Sequence, residues 1–287
     1  MGALFHSVRE SFQFLVQHRG FEKSRVACSA RVVAWYAQLA LGQTPRVRIE
    51  SWDATYELPR APRGPAKVFY VFREDYEPEV QFFSERLRPG QSFIDVGANF
   101  GLFTVLASRR VGAAGKVLAF EPWAGSATHL RRNVEANRCA NVAIHECALS
   151  DDVGTAKFSV HEDCGRNSLG QLDTADSAEV EVRRLDELLP GDARLDWMKI
   201  DVEGAEELVL RGAVETLRRC RPAIVFETTG QGPARVGLPP FGAWDFLAEL
   251  GYGFFDVDDP ALPRLSAPRL GNSLGVHPAS DVLHLAG

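Results

Sequence analysis

The stretch Phe93-Ile94-Asp95-Val96-Gly97-Ala98-Asn99-Phe100-Gly101 runs as a short apolar strand into a turn punctuated by glycines. Residues 102–110 continue it with the apolar spacing of a helix. A strand that turns through glycines into a helix is the repeating unit of open α/β sheets, in which ligands bind outside the carboxyl ends of the strands. Gly97 and Gly101 have no Cβ, so the turn can use positive φ and a ligand can approach the backbone. The helix amino end beyond them favours a negative group. Such turns also occur for packing alone, so the reading needs support from the rest of the chain.

Outward from this unit the rhythm repeats. Strands are predicted over residues 92–96, 116–121, 142–149, 197–201 and 223–227, and helices over 102–110, 125–136 and 203–219. Short apolar strands separated by amphipathic helices imply right-handed crossovers and a mostly parallel sheet covered on both faces. A β-insertion (154–160) and a polar loop (161–170) interrupt the pattern. Residues 251–257 and 281–285 are expected to add final strands. Upstream, Phe5, Val8, Phe12 and Leu15, then Val32, Trp35 and Leu39, are spaced as in helices. Alternation at Val47, Ile49 and Trp52 and the apolar run 68–72 predict two strands joined by a Pro-rich loop, followed by a helix over 76–87. The expected division is a helical appendage over 1–45, a strand pair and helix over 46–90, and the α/β domain over 91–287.

Composition narrows the class. The 287 residues are 45% hydrophobic and 24% charged, which excludes a disordered regulator, a collagen-like fibre and a coiled-coil rod. Lys+Arg 32 against Asp+Glu 38 gives a net charge of −6, without the basic stripe that a nucleic-acid partner requires. A small molecule fits better. Cys28, Cys139, Cys147, Cys164 and Cys220 are dispersed with no C-x-x-C, unlike a disulfide framework or zinc ribbon. The N-terminal apolar stretch is broken by Arg9, Glu10 and His18, and residues 32–41 are too short to cross a bilayer. The expectation is a cytoplasmic protein with no membrane partner.

Residues 117–120 end in Glu121, an acid after a hydrophobic run. A carboxylate at that place accepts both hydroxyls of a ribose, which implies a nucleoside-containing cofactor. NAD and S-adenosylmethionine both qualify, but Asn99 stands where the dinucleotide fingerprint needs a second glycine, and that disfavours NAD. At Phe93–Thr104 (FIDVGANFGLFT), Phe120-Glu121-Pro122, Ala148-Leu149-Ser150-Asp151 and Lys199-Ile200-Asp201-Val202-Glu203-Gly204-Ala205-Glu206 the chain resembles the FkbM family of S-adenosylmethionine-dependent methyltransferases. The resemblance extends over residues 73–285 and implies a class I methyltransferase fold. That fold is a mostly parallel seven-stranded sheet with helices on both faces and one antiparallel strand. The reaction it implies is methylation of a hydroxyl on a sugar or secondary metabolite.

Carried over by position, Asp95, Gly97, Ala98, Asn99 and Gly101 would surround the methionine part of the cofactor, and Glu121 with Pro122 the ribose. Ala148 and Leu149 would edge the adenine. Asp201 and Glu203 would face the sulfonium and the acceptor, as the general-base candidates. Tyr76 and Glu77 match a pair that the family often has before the first strand. Glu227, ending the next strand, would stand beside Asp201 and Glu203, and the three carboxylates could hold Mg²⁺, although metal-free catalysis is favoured. Glu203 and Glu206 also suit a plain helix amino end. Trp123 is a candidate for covering the adenine, and His145 for packing; His161, His277 and His284 are bases without supporting spacing. An NAD-dependent dehydrogenase or epimerase and a catalytically silent binding module are the competing readings. The amphipathic N-terminal helices are expected either to close over the acceptor site or to pair with another subunit in a homo-oligomer.

Overall fold

The computed structural model describes residues 16–159, 168–169, 177–230, 232–280 and 282. Its main sheet grows from five short apolar strands: β3 (Ser92–Val96), β4 (Lys116–Phe120), β5 (Val142–His145), β10 (Trp197–Ile200) and β11 (Ala223–Thr228). They lie side by side in the order β5-β4-β3-β10-β11, all parallel. β14 (Gly271–Val276) pairs antiparallel with β11, and β12 (Gly253–Asp256) antiparallel with β14. These seven strands form a class I methyltransferase sheet with β14 as its one reversed strand. The expected seven become eight, because the two-residue β13 (Arg264–Leu265) extends the edge beyond β12.

Helices cover both faces. α5 (Leu102–Val111) and α6 (Ala124–Ala136) follow β3 and β4. Alternate strand residues point to opposite faces, so Phe93 joins one buried cluster and Ile94 the other. The first cluster runs through α2 (Arg25–Ala40), the hairpin β1 (Arg46–Ile49) and β2 (Ala54–Glu57), and α4 (Pro78–Arg86). Trp35, Tyr56, Phe69 and Phe83 are fully buried in it. The N-terminal helices α1 (Arg19–Lys23) and α2 thus pack into the same core as the sheet.

Several expectations change. Residues 68–72 form no strand but the end of α3 (Pro65–Phe72). Gly64 caps it and Pro65 starts it, and six of its eight residues are buried. A buried helix and a buried strand both read as an apolar run. The strand expected over 142–149 is two: β5 ends at His145, and β6 (Ala148–Leu149) leaves for a second sheet. That sheet contains β7 (Gly154–Ser159), β8 (Ser168–Leu169) and β9 (Ser177–Arg183), in the order β6-β9-β7-β8. The helix expected over 203–219 is also two, α8 (Glu206–Arg211) and α9 (Val214–Cys220), and it starts later because Glu203 takes φ 57°. Short α7 (Leu185–Leu188), α10 (Gly232–Arg235) and α11 (Gly242–Glu249) complete the chain. The predicted strand over 281–285 falls, except for Val282, outside the described residues, as do Phe5, Val8, Phe12, Leu15, His161 and His284.

Candidate active site

One cavity of about 730 Å³ opens at the carboxyl ends of β3, β4 and β10. It brings together Gly97, Ala98, Asn99, Glu121, Pro122, Ala148, Leu149, Asp201 and Glu203. Asp95 and Gly101 do not line it. Asp95 lies behind the wall, 1% exposed, accepting a 2.6 Å hydrogen bond from the Thr104 hydroxyl. Its other oxygen, Oδ1, is buried without a hydrogen-bond partner.

The glycines serve packing as well as access. Gly97 has φ 82°, and a Cβ there would overlap the Asp201 carbonyl oxygen, so this glycine lets the ends of β3 and β10 close together. Gly101 has φ 89°, and a Cβ there would come 2.7 Å from Leu130 Cδ1 on α6. Between them Asn99, at φ 50°, occupies the left-handed region that asparagine tolerates.

Glu121 ties this turn to the next strand. Its Oε2 accepts from the Asn99 N–H at 2.8 Å and its Oε1 from the Trp123 N–H at 2.9 Å. A carboxylate has about four lone-pair sites, so two remain for hydroxyls facing the cavity. Burial raises the Glu121 carboxyl to about 7, against the two backbone bonds. Trp123 itself does not line the cavity; it packs against Ala148, Phe158, Val180 and Val182. His145 stacks on Phe120 at 4.8 Å, in a packing role. His277 sits beside Tyr252 and accepts from the Ala279 N–H, away from the cavity lining.

At the other end three carboxylates converge. Oxygens of Asp201, Glu203 and Glu227 lie within 4.8 Å of one another. Lys199 Nζ stands 2.8 Å from Asp201 Oδ2 and 4.5 Å from the Phe103 ring centre. Burial works against the Lys199 charge, but Asp201 and Asp95 outweigh it and raise the ammonium above its ordinary range. Burial, then Asp201 and Glu203, push Glu227 up to about 9. Glu77, hydrogen-bonded to the Tyr76 hydroxyl, is raised to about 7 by burial and by Asp201. Both line the cavity. The loop bearing Glu203 is held by Glu206, whose Oε1 accepts from the N–H groups of Val202 and Gly204. A non-glycine residue at positive φ costs energy, and here Glu206 supports the turn that presents Glu203.

The sequence reading missed several lining residues. Lys199 opens the Lys199–Glu206 motif, where nothing local marks it as a cavity residue. Glu79, Lys67 and Arg63 lie upstream of the glycine turn with no spacing to single them out, and only the fold brings them to the cavity. Among the described residues no helix is long and apolar enough to cross a membrane.

Comparison with known proteins extends this picture. The chain is 30% identical over 148 residues to "Methyltransferase 1" of Beauveria bassiana (strain ARSEF 2860), covering 43% of this chain and 59% of that protein. It is 31% identical over 159 residues to the 31-O-demethyl-FK506 methyltransferase FkbM of Streptomyces tacrolimicus, covering 44% and 60%. The matches thus span about three fifths of those relatives. A crystal structure of methyltransferase FkbM from Methylobacillus flagellatus KT aligns over 86% of this chain and 59% of its own, at 16% identity and TM-score 0.43. The model of the methyltransferase FkbM domain matches residues 95–254, from the acid of β3 to the start of β12. Because that match takes in the glycine turn, Glu121 and all three clustered carboxylates, the chain belongs to the FkbM methyltransferase family.

Proposed function

We propose that this chain is an S-adenosylmethionine-dependent methyltransferase acting on a hydroxyl oxygen of a small molecule, a sugar or secondary metabolite. The observation that carries the reading is the union, in one cavity, of the Glu121-braced glycine turn with the carboxylates of Asp201, Glu203 and Glu227. The donor set fits the cofactor: free lone pairs on Glu121 for ribose hydroxyls, apolar Ala148 and Leu149 for a base, and carboxylates for a cationic centre. When bound, the cofactor supplies an electrophilic methyl group on a sulfonium.

The chain's own residues then align and deprotonate. Orientation of two reactants contributes up to about 7–11 kcal/mol in favourable cases. A positioned base adds about 10²–10⁴-fold. Asp201 and Glu203 are the groups we assign to take the acceptor's proton. Glu227, raised to about 9, keeps its own proton at neutral pH and can donate a hydrogen bond instead. A divalent cation, were one used, would be held by these same three residues. We favour metal-free chemistry, because the Lys199 ammonium already neutralises Asp201.

The test is a screen of hydroxylated acceptors for S-adenosylhomocysteine release, with the methylated atom located by mass spectrometry and NMR. Turnover of a hydroxyl acceptor supports the reading. Thermal stabilisation by NAD but not by S-adenosylhomocysteine overturns it.

A further inference from the structure

Among the described residues, four lining the cavity can carry positive charge: His18, Arg63, Lys67 and Lys199. Lys199 is committed to Asp201. Both ring nitrogens of His18 are used: Nδ1 accepts from the Gly20 N–H, so Nε2 donates to the Tyr76 carbonyl at 2.9 Å. Lys67 differs from both. It is 3% exposed, on the first turn of α3, and among the described residues no carboxylate pairs with its ammonium. Its neighbours include the Tyr36 ring, 5.7 Å away, and Arg63, a like charge. Burying an ammonium without a counterion is costly, and burial together with Arg63 pulls Lys67 down to about 8. An anion at that ammonium would offset this cost.

Its place in the fold says which one. Phe69, two residues on, lies 6.0 Å from Phe100 of the glycine turn, so α3 lies beside the turn expected to hold the methionine part of the cofactor. The rest of that region offers carboxylates: Glu77, Glu79, Glu121, Asp201, Glu203 and Glu227. They suit a sulfonium, an amine and hydroxyls, and none supplies the positive charge that a carboxylate calls for. We infer that Lys67, assisted by Arg63, binds the α-carboxylate of the cofactor's methionine part, placing the negative end of that zwitterion opposite the acidic cluster. This inference rests on the proposed cofactor.

Calorimetry on the full chain tests it with two probes, S-adenosylhomocysteine and its decarboxylated analogue S-adenosyl-3-thiopropylamine. Lys67→Met should weaken the first by at least about tenfold, the scale of one charge-assisted contact. It should leave affinity for the analogue at the wild-type value, which also shows that the variant is folded. Lys67→Arg should restore most of the loss. Unchanged S-adenosylhomocysteine affinity in Lys67→Met, or an equal loss for both probes, overturns the assignment while leaving the cofactor in place. A wild-type chain that binds neither probe overturns the cofactor reading along with it.

Discussion

Lys199 and Asp201 stand two residues apart at the carboxyl end of β10, and their charged atoms are 2.8 Å apart. Residues i and i+2 of an extended segment share a face, which sets up the pair. The two ends differ in exposure: the Lys199 side chain is 5% exposed and that of Asp201 38%. The ammonium therefore belongs to the wall and the carboxylate to the cavity. On the neighbouring strand, in register with Lys199, Asp95 adds a second negative charge. A buried cation between two carboxylates fixes the rear of the cavity and engages only Oδ2 of Asp201.

Asp201→Asn and Glu203→Gln should consequently differ in stability although both lower turnover. Removing the Asp201 charge leaves Lys199 with Asp95 and the more weakly acting Glu77. The cost should fall between the ~1 kcal/mol of an exposed pair and the ~3–5 kcal/mol of a fully buried one. Glu203 is partly buried on a turn, and Glu203→Gln leaves the Lys199–Asp201 pair intact, so it should cost less stability than Asp201→Asn. Each should reduce turnover of a verified acceptor by at least about 10²-fold, the low end for a general base. Wild-type turnover in both would place the base elsewhere.

Glu121→Ala should weaken S-adenosylhomocysteine binding by about 1–3 kcal/mol, through lost charge-assisted hydrogen bonds. Part of this loss is indirect, because Glu121 also braces the N–H groups of Asn99 and Trp123. Glu121→Gln retains one acceptor oxygen and should lose less. Calorimetry giving equal affinities for the wild type and a folded Glu121→Ala would remove the ribose role.

Much of this site was legible because its chemistry clusters at strand ends that the sequence marks by local pattern: β3 with its glycines, Glu121 after four apolar residues, and the Lys199–Glu206 run. What escaped depends on contacts between distant segments. Lys67 stands just before an apolar run read as a strand, and its surroundings appear only when the cavity is closed around it. Glu206 reads as a helix-end acid, yet its role is to accept two N–H groups from the turn that presents Glu203. Strand β9 does alternate, with Val180 and Val182 inward and Glu179 and Glu181 outward, but its charged face obscured it beside the apolar central strands. The extra edge strand β13 has two residues, too few for any periodic signal.

Activity should survive EDTA. Three carboxylates within 4.8 Å could bind a divalent ion, but Lys199 competes for Asp201 and Glu227 holds a proton near neutral pH. Both effects weaken an oxygen site that depends on ionised ligands. Complete loss of turnover with EDTA, restored by Mg²⁺, would instead make Asp201, Glu203 and Glu227 ligands.

The last prediction concerns pH and stability without ligand. Burial, followed in several cases by neighbouring carboxylates, raises Glu77, Glu121 and Glu206 to about 7, Glu79 to about 8 and Glu227 to about 9, against an ordinary 4.5. Between those limits the folded chain retains protons that the unfolded chain has released. Stability then falls as pH rises, because its slope with pH follows the protons bound unfolded minus those bound folded. The contribution is whole below about 4.5 and is lost progressively towards pH 9. Lys67, lowered to about 8, acts in the opposite sense, but only above that pH. The melting temperature should therefore drop between pH 5.5 and 8.5. Glu79 is buried with Oε2 unpartnered, so Glu79→Gln should flatten the drop and raise the melting temperature at pH 8.5. Scanning calorimetry across that range decides the matter: a melting temperature that climbs with pH would show that these carboxyls are ionised in the folded chain, and the acidic half of the cavity would have to be redrawn.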